Sequence, residues 1–210
     1  MAERSVLVSG GSGGLGGAVL AAFVAEGWRV VAPLRPGSTA ELPGGVTPIE
    51  ADVTSPGDVE AAVAVAAGDP GAPLRAVVNL VGGYAGSGLV HETPIEDFEA
   101  ILRTNLRPTY LVTAAALPHL VAAGRGSVVC LSSRAAVAPF AGAAGYVASK
   151  AAVLAFANAV AVEYKKQGVR ANTDFSRWVS PAEIAQVILF LAGDRSAPTS
   201  GATIPVYGRA

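Results

Sequence analysis

Residues 5–17 read Ser-Val-Leu-Val-Ser-Gly-Gly-Ser-Gly-Gly-Leu-Gly-Gly, a buried-strand pattern that runs straight into a glycine-rich loop. Apolar residues at helical spacing follow in Leu15–Glu26. Glycines allow sharp turns with positive φ and let a phosphate approach the backbone without meeting a Cβ. The N-terminus of the next helix adds free N–H groups and the positive end of a dipole. A glycine loop alone is often only flexible, but one between a first strand and a helix predicts dinucleotide binding.

The rest of the chain continues this alternation of short β-branched runs and longer helical runs. Strands are predicted at Ser5–Ser9, Arg29–Ala32, Val46–Glu50, Leu74–Asn79, Ser127–Ser132, Val169–Asn172 and Ala202–Val206, and helices at Leu15–Glu26, Pro56–Ala67, Ile95–Ala123, Gly145–Gln167 and Pro181–Ala192. Apolar strands separated by helices indicate a parallel sheet covered on both faces. Right-handed crossovers then predict an α/β Rossmann fold, a doubly wound parallel sheet of about seven strands in a single domain over residues 1–210.

Composition excludes several classes of protein. The 15 Lys and Arg nearly balance the 16 Asp and Glu, which argues against a nucleic-acid binder. Cys130 is the only cysteine, so no intrachain disulfide points to an oxidising compartment. No apolar run reaches the roughly 18–20 residues that span a bilayer, and the N-terminus does not read as a signal peptide. We therefore expect a cytoplasmic protein without a nucleic-acid or membrane partner.

A metal site is not expected from the sequence either. His91 and His119 each lack a second His, Cys or carboxylate at the spacing that metal ligands usually show. Cys130 lies within an apolar strand and is interpreted as a core residue.

The end of the second strand bears on the choice of nicotinamide cofactor. Enzymes that use NAD usually place an acidic residue there, to bind the adenosine ribose. This strand end reads Ala-Pro-Leu-Arg-Pro-Gly-Ser over residues 32–38, with no carboxylate and with Arg35 placed to pair a 2′-phosphate. The pattern favours NADP(H) over NAD(H), although a solvated loop arginine would give the same sequence.

Tyr146 and Lys150 form the pattern Tyr-x-x-x-Lys near the start of the long fourth helix. Residues four apart share one helical face, so both side chains can line one cleft. An ordinary tyrosine is a poor acid–base catalyst at neutral pH, and a nearby ammonium favours its phenolate form. The pattern also arises by chance on protein surfaces, so its context decides the interpretation.

Two further polar residues supply that context. Ser133 follows the fifth strand, at the sheet edge where open α/β proteins bind ligands, and can orient a substrate carbonyl. Asn105 lies mid-helix, where asparagine is a poor helix former. It is either an ordinary polar residue or one that perturbs the helix and holds a water for a proton relay. Tyr84 and Phe140, in loops near the expected cleft, are candidates for lining the substrate site.

Together these motifs resemble the short-chain dehydrogenase/reductase family in order and spacing, over almost the whole chain. The resemblance implies a catalytic tetrad of Asn105, Ser133, Tyr146 and Lys150. This chain departs from the family at three places. Ser9 stands where the family usually has Thr, and Gly13 stands where the family has its other basic position, inside the glycine loop. Residues 79–82 read Asn-Leu-Val-Gly where the family usually has Asn-Asn-Ala-Gly. The cofactor-binding residues that it implies, in addition to Tyr146 and Lys150, are Gly10, Ser12, Gly14, Leu15, Gly16, Arg35, Asp52, Val53, Asn79 and Gly82.

The resemblance implies an NAD(P)-dependent carbonyl reductase or alcohol dehydrogenase that acts on a small carbonyl or alcohol substrate, with Tyr146 as the acid–base group. The alternative is a catalytically silent NAD(P)-binding regulatory or scaffold protein on the same fold. Epimerases and dehydratases of the extended branch are longer chains with a C-terminal substrate domain. A homo-oligomer, either a tetramer or a dimer, is also implied.

The stretch after the sixth strand is shorter than the family pattern. Members usually continue with Pro-Gly and a mobile substrate-binding segment, whereas here the text before the next helix follows at once. Roughly 20–30 residues are thus missing between about Thr173 and Asp174, the length of a lid that closes an active site. We expect that this sequence omits a loop of the natural protein, and a natural deletion is the alternative.

Overall fold

A seven-stranded, all-parallel sheet forms the centre of the molecule in the computed structural model, which describes residues 2–86, 88–176 and 179–206. The strands are β1 Ser5–Ser9, β2 Arg29–Leu34, β3 Val46–Glu50, β4 Leu74–Asn79, β5 Gly126–Leu131, β6 Val169–Ser176 and β7 Thr203–Val206. The helices are α1 Gly16–Ala25, α2 Pro56–Ala67, α3 Ile95–Ala122, α4 Ala144–Tyr164 and α5 Pro181–Ala192. The doubly wound α/β fold predicted from the sequence is confirmed.

The central strands are buried on both faces because alternate side chains enter two different cores. In β1, Leu7 packs with α2, α3 and α4, whereas Val6 and Val8 pack with α1 and α5. All five residues of β1 are buried. The continuous apolar runs that predicted a covered parallel sheet therefore reflect burial by helices on both sides.

The strand order β3-β2-β1-β4-β5-β6-β7 fixes where a ligand can bind. The order reverses between β1 and β4, and open α/β sheets bind ligands at such a switch point, beyond the carboxyl ends of the strands. The loops that follow β1, β4 and β5 meet at this edge. They carry the glycine loop, the stretch after Asn79 and the stretch after Leu131.

The predicted boundaries were wrong at β5 and β6. β5 covers Gly126–Leu131 rather than Ser127–Ser132, so Ser133 lies beyond the strand end. β6 was predicted to end at Asn172 but continues to Ser176, because it lies between two strands. Thr173 pairs with Thr203 of β7, and Asp174 pairs with both Leu131 and Ile204. Pairing to two neighbours extends a polar stretch that sequence pattern alone does not identify as a strand.

Helix α4 and its 3₁₀ continuation, Ala144–Gln167, are long and apolar enough by composition to cross a membrane. Core helices of globular proteins meet the same criterion. Here Val153, Ala157 and Val160 are buried against the sheet, in the cluster that also contains Val128 of β5. We interpret α4 as a core helix.

Candidate active site

The glycine loop has the shape that close approach of a phosphate requires. Gly10 has φ +84°, and the N–H of Gly13 donates to its carbonyl at 3.1 Å. A Cβ at Gly10 would lie 2.9 Å from the backbone nitrogen of Val81, and a Cβ at Gly16 would overlap the carbonyl oxygens of Gly10 and Gly11. Both positions exclude any larger residue. At Gly14, by contrast, a Cβ would meet nothing within 4 Å.

The N-terminus of α1 keeps donors free for a ligand. Leu15 occupies the N-cap position and supplies no side-chain hydrogen bond. Within the described part of the chain, the N–H groups of Ser12, Gly14 and Leu15 donate to no protein acceptor. Free N–H groups at a helix N-terminus form an anion-binding site.

Arg35 and Asp52 lie together where β2 and β3 end. Arg35 is exposed, and Asp52 is partly buried. The N–H and hydroxyl of Thr54 donate to Oδ1 of Asp52 at 2.9 and 2.7 Å, and these bonds lower the pKa of Asp52, with Arg35 and Arg107 adding to the effect. Asp52 therefore also serves as a turn residue, while Val53 packs on the core beneath.

Asn79 anchors the end of β4 from within the core. Its Nδ2 donates to the hydroxyl of Thr113 at 3.0 Å and lies 3.7 Å from Sγ of Cys130. The hydroxyl of Ser9 lies 3.4 Å from Oδ1 of Asn79. These contacts hold together the carboxyl ends of β1, β4 and β5, so Asn79 supports the site from below.

Gly82 is the point at which three predicted site residues meet. A Cβ at this position would lie 2.7 Å from Oδ1 of Asn105 and 3.0 Å from Nζ of Lys150. The site can therefore hold the amide and the ammonium this close together only with glycine at position 82. This steric requirement explains why the glycine of the stretch 79–82 is retained although the residues between are not.

Asn105 does not interrupt its helix, so of its two interpretations the one in which it perturbs α3 is not supported. α3 runs unbroken from Ile95 to Ala122, and Asn105 is fully buried. Its Oδ1 accepts from the N–H of Gly83 at 2.8 Å, and its Nδ2 donates to the carbonyl of Gly83 at 3.1 Å and to the Ser149 hydroxyl at 2.8 Å. The side chain thus clamps the loop after β4 to both α3 and α4.

Lys150 is 5% exposed, and its Nζ donates to the carbonyl of Leu131 at 3.2 Å. Burial lowers the pKa of Lys150 to about 8, against a small opposing effect of Cys130. Burial also raises the pKa of Cys130 to about 12, so that thiol stays neutral at physiological pH. Of these two neighbouring groups, only the Lys150 ammonium is therefore charged at neutral pH.

Tyr146 and Ser133 complete the predicted set. Tyr146 lies in the first turn of α4, one helical turn before Lys150, and is partly buried. Ser133 caps a short 3₁₀ helix, Arg134–Ala136, by accepting from the N–H of Ala135 at 3.2 Å. Among the residues that the structure describes, no hydrogen bond joins the Ser133 and Tyr146 hydroxyls.

Two serines that the sequence analysis did not single out support the site. Ser149 is buried, and its hydroxyl donates to the carbonyl of Tyr146 at 2.8 Å while it accepts from Asn105. The hydroxyl of Ser132 donates to the carbonyl of Lys150, also at 2.8 Å. Their positions next to Lys150 and Ser133 were the available signal. A buried serine beside a predicted site residue has few other ways to satisfy its hydroxyl.

The structure shows no candidate metal site among the residues that it describes. Over residues 2–86, 88–176 and 179–206, no three His, Cys, Asp or Glu side chains come together as metal ligands. The polar groups of the site are amide, hydroxyl and ammonium. This donor set suits hydrogen bonding and proton transfer.

A family model described as short chain dehydrogenase matches residues 4–180. The 2-(R)-hydroxypropyl-CoM dehydrogenase of Xanthobacter autotrophicus is 31% identical over 245 residues, which cover 98% of each chain. The 3-alpha-(or 20-beta)-hydroxysteroid dehydrogenase of Mycobacterium tuberculosis is 30% identical, covering 98% of this chain and 88% of that protein. A solved short-chain dehydrogenase/reductase from Burkholderia xenovorans superposes with a TM-score of 0.89 at 26% identity, covering 98% and 95%.

Proposed function

The chain belongs to the short-chain dehydrogenase family, and from this membership we propose that its Ser133, Tyr146 and Lys150 carry out the family's chemistry. The chain is an NAD(P)-dependent oxidoreductase of hydroxyl and carbonyl substrates. The observation that carries the residue assignment is the buried ammonium of Lys150, held one helical turn from Tyr146 at the carboxyl edge of the sheet. Burying a lysine is costly, and such residues are concentrated at functional sites.

The glycine loop fits a dinucleotide. The Cβ overlap at Gly16, the positive φ of Gly10 and the free N–H groups of α1 leave room and donors for a pyrophosphate. We assign phosphate binding to this loop, with Ser12, Gly14 and Leu15 as further contributors. Asp52 and Val53 would face the adenine, and Asn79 and Gly82 would support the nicotinamide side. When bound, the nicotinamide gives or accepts the hydride.

Tyr146 is assigned as the acid–base group. In reduction its hydroxyl gives a proton to the carbonyl oxygen, and in oxidation it accepts the proton of the alcohol. Lys150 is largely protonated at pH 7, because its pKa stays near 8, and its charge favours the phenolate. Its other expected contact is with the nicotinamide ribose.

Ser133 and Asn105 have supporting roles in this proposal. The hydroxyl of Ser133 donates to the substrate oxygen and fixes its orientation. Asn105 holds the loop at Gly83 and, through Ser149, the first turn of α4, so it sets the position of Tyr146. A water on Asn105 would link Lys150 to solvent as a proton relay.

NADP(H) is the proposed cofactor form. Arg35 is exposed at the end of β2 and lies close enough to Asp52 to lower the pKa of that carboxyl. A guanidinium at this position can pair with a 2′-phosphate, whereas the second strand ends without a carboxylate for a free ribose.

We also propose a cytoplasmic location, a homo-oligomer, and a segment missing between about Thr173 and Asp174, a point that lies within β6 in this structure. The alignment of 245 residues with the hydroxypropyl-CoM dehydrogenase exceeds the 210 of this chain, so that relative has residues with no counterpart here.

Tyr110 on α3 and Val162 on α4 are exposed apolar residues, and Tyr110 packs against Phe156 at 5.8 Å. Such a surface suits a tetramer or dimer interface.

The test is turnover set beside binding. Purified protein is mixed with NADPH or NADH and a panel of ketones, and cofactor oxidation is followed at 340 nm while cofactor binding is measured by calorimetry. We expect binding together with turnover of at least one ketone. Binding without turnover of any ketone or alcohol would favour the alternative, a silent regulatory or scaffold protein that has kept only the cofactor site.

A further inference from the structure

Three aromatic rings contact one another at the mouth of the candidate site. Tyr84, in the loop after β4, lies edge-on to Tyr146, with ring centroids 5.1 Å apart and an interplanar angle of 78°. Its other neighbour is Phe140, in the loop after β5, at 6.4 Å and 33°. The loops of two different strands thus place rings beside the proposed proton donor.

These rings are open to solvent despite their contacts. Tyr84 is 64% exposed, Phe140 is 50% exposed, and Val137 on the same loop is 55% exposed. Single exposed apolar residues are ordinary, but adjoining ones beside a catalytic centre mark a binding surface. Two exposed aromatic rings in contact do not contribute to the solubility of a loop, so we interpret them as part of a binding surface.

The loop geometry holds the Tyr84 ring in this place. A Cβ at Gly86 would lie 2.9 Å from the Tyr84 hydroxyl and 3.3 Å from the carbonyl oxygen of Gly142. The loop after β4 therefore packs closely around the tip of Tyr84 and against the loop after β5, with glycine at position 86. The ring contacts Tyr146 edge-on and has Gly86 near its hydroxyl, while much of its surface remains open.

We propose that Tyr84 and Phe140 form an aromatic wall that selects substrates with a flat ring beside the reacting carbon. The substrate class is aryl ketones and aryl secondary alcohols. The inference rests on the proposed function for the selection of substrates, because that requires Tyr146 as the proton donor, whereas binding of a ring at the wall is measured independently of turnover. A ring stacked on Tyr84 gains an aromatic pair contact and buries apolar surface of both partners. An alkyl ketone of similar reactivity gains little of either.

The experiment compares acetophenone with butan-2-one. The ratio of their kcat/KM values is measured with NADPH for the wild type, Tyr84→Ala, Tyr84→Phe and Phe140→Ala. The corresponding ratio of affinities, the Kd of butan-2-one divided by the Kd of acetophenone, is measured in complexes with NADP⁺, where a ketone cannot react. Phe190→Ala is the matched control, because Phe190 is 42% exposed on α5, on the other face of the sheet.

We expect Tyr84→Ala to lower both ratios about tenfold and Phe140→Ala to lower them about threefold, in keeping with the size of aromatic pair contacts. Tyr84→Phe and Phe190→Ala should keep the wild-type preference. Turnover of both ketones with ratios unaffected by Tyr84→Ala would overturn the inference and leave the proposed function intact. Lack of turnover, with a Kd ratio that still falls in Tyr84→Ala, would support the wall and overturn the proposed function. Failure of the wild type to bind acetophenone would overturn the inference.

Discussion

Lys150 shows how a single residue can reduce stability in order to supply chemistry. Its ammonium is buried, and its Nζ donates to the carbonyl of Leu131. Burial lowers the pKa of Lys150 from 10.5 to about 8. Below pH 8 the lysine is protonated in both the folded and the unfolded chain, so the folded state carries the full cost of an ammonium out of water. The same charge is what the proposed proton transfer requires.

We predict that Lys150→Met stabilises the apo protein while it abolishes turnover. At pH 7 the gain should be about 2 kcal/mol in the free energy of unfolding, the desolvation cost less one hydrogen bond. Between pH 8 and 10.5 the folded wild type loses its proton while the unfolded chain keeps it. Wild-type stability therefore rises with pH relative to the variant, and the gain should shrink. Urea titrations at pH 7 and pH 10 measure it.

Lys165→Met is the matched control, because Lys165 is exposed just beyond the end of α4. It should show no such pH-dependent difference from the wild type. A Lys150→Met variant that is less stable than the wild type at pH 7 would contradict the account of the buried ammonium.

Arg35 is the proposed basis of a preference for NADP(H) over NAD(H). We predict that Arg35→Ser lowers the ratio of kcat/KM for NADPH to that for NADH about tenfold, since an exposed arginine–phosphate pair contributes about 1–2 kcal/mol. Initial rates with both cofactors measure the ratio. Arg195→Ser, an exposed arginine after α5, should leave the ratio unchanged. Equal losses with both cofactors would argue that Arg35 does not discriminate between them.

At the scale of elements, arginines on the strands bind the carboxyl ends of helices. Arg29 at the start of β2 donates to the carbonyls of Val65 and Ala66 at the end of α2. Arg170 in β6 donates to the carbonyl of Leu191 at the end of α5. Parallel strands begin where the helices end, so each guanidinium meets carbonyls of the last helical turn and the negative end of a helix dipole. This opposite edge of the sheet is thus stabilised without involving the candidate site.

We predict that Arg170→Met lowers the free energy of unfolding by about 2–3 kcal/mol and leaves kcat unchanged at 25 °C. The guanidinium also donates to the carbonyls of Gly193 and Ser196 at 3.0 and 3.1 Å, so the change removes several charge-assisted hydrogen bonds at once. Urea denaturation measures the loss. Arg195→Met, in the same short helix Asp194–Ser196, should change stability by less than about 0.5 kcal/mol. A similar loss in both variants would contradict the assignment.

The sequence pattern predicts well the elements whose periodicity and end signals are local. It predicts less well the bounds of strands that depend on pairing with neighbouring strands. β1, β3, β4, α2 and α5 have the predicted bounds, because apolar runs and glycine or proline signals mark both ends. The residues Thr173–Ser176 read as polar loop, and only pairing with β5 and β7 makes them strand. Asn105 was placed in the right helix, but the partners of its side chain were not predicted. Its contacts with Gly83 and Ser149 are long-range, and no spacing rule encodes them.

At the scale of the whole molecule, the candidate site and the arginine contacts with the helix ends lie at opposite edges of the sheet. The carboxyl edge brings together the glycine loop, the buried ammonium and the aromatic wall, while the amino edge holds helix ends in place. The connection from β6 to α5 spans only residues 177–180. It follows β6, near the point between Thr173 and Asp174 where the family resemblance implies a further substrate-binding segment.

Intact-mass spectrometry of the protein expressed from its natural gene tests whether residues are missing at this connection. We predict a mass above 20.9 kDa by roughly 2–3 kDa, because a lid segment of about 20–30 residues would be present. Peptide mapping should place the additional residues between Asn172 and Pro181. A mass of 20.9 kDa would mean that the natural chain has the short connection, and the substrate would then be held by the loops after β4 and β5 alone.

The most direct test of the account is the turnover of Tyr146→Phe. The change removes one hydroxyl, keeps the ring and its contact with Tyr84, and leaves Lys150 in place. With a ketone that the wild type reduces, we predict a fall in kcat of about a thousandfold, the usual size of a lost acid–base group, with NADP⁺ affinity within about threefold of the wild type. A Tyr146→Phe enzyme that turns over at the wild-type rate would contradict the assignment of Tyr146 as the acid–base group.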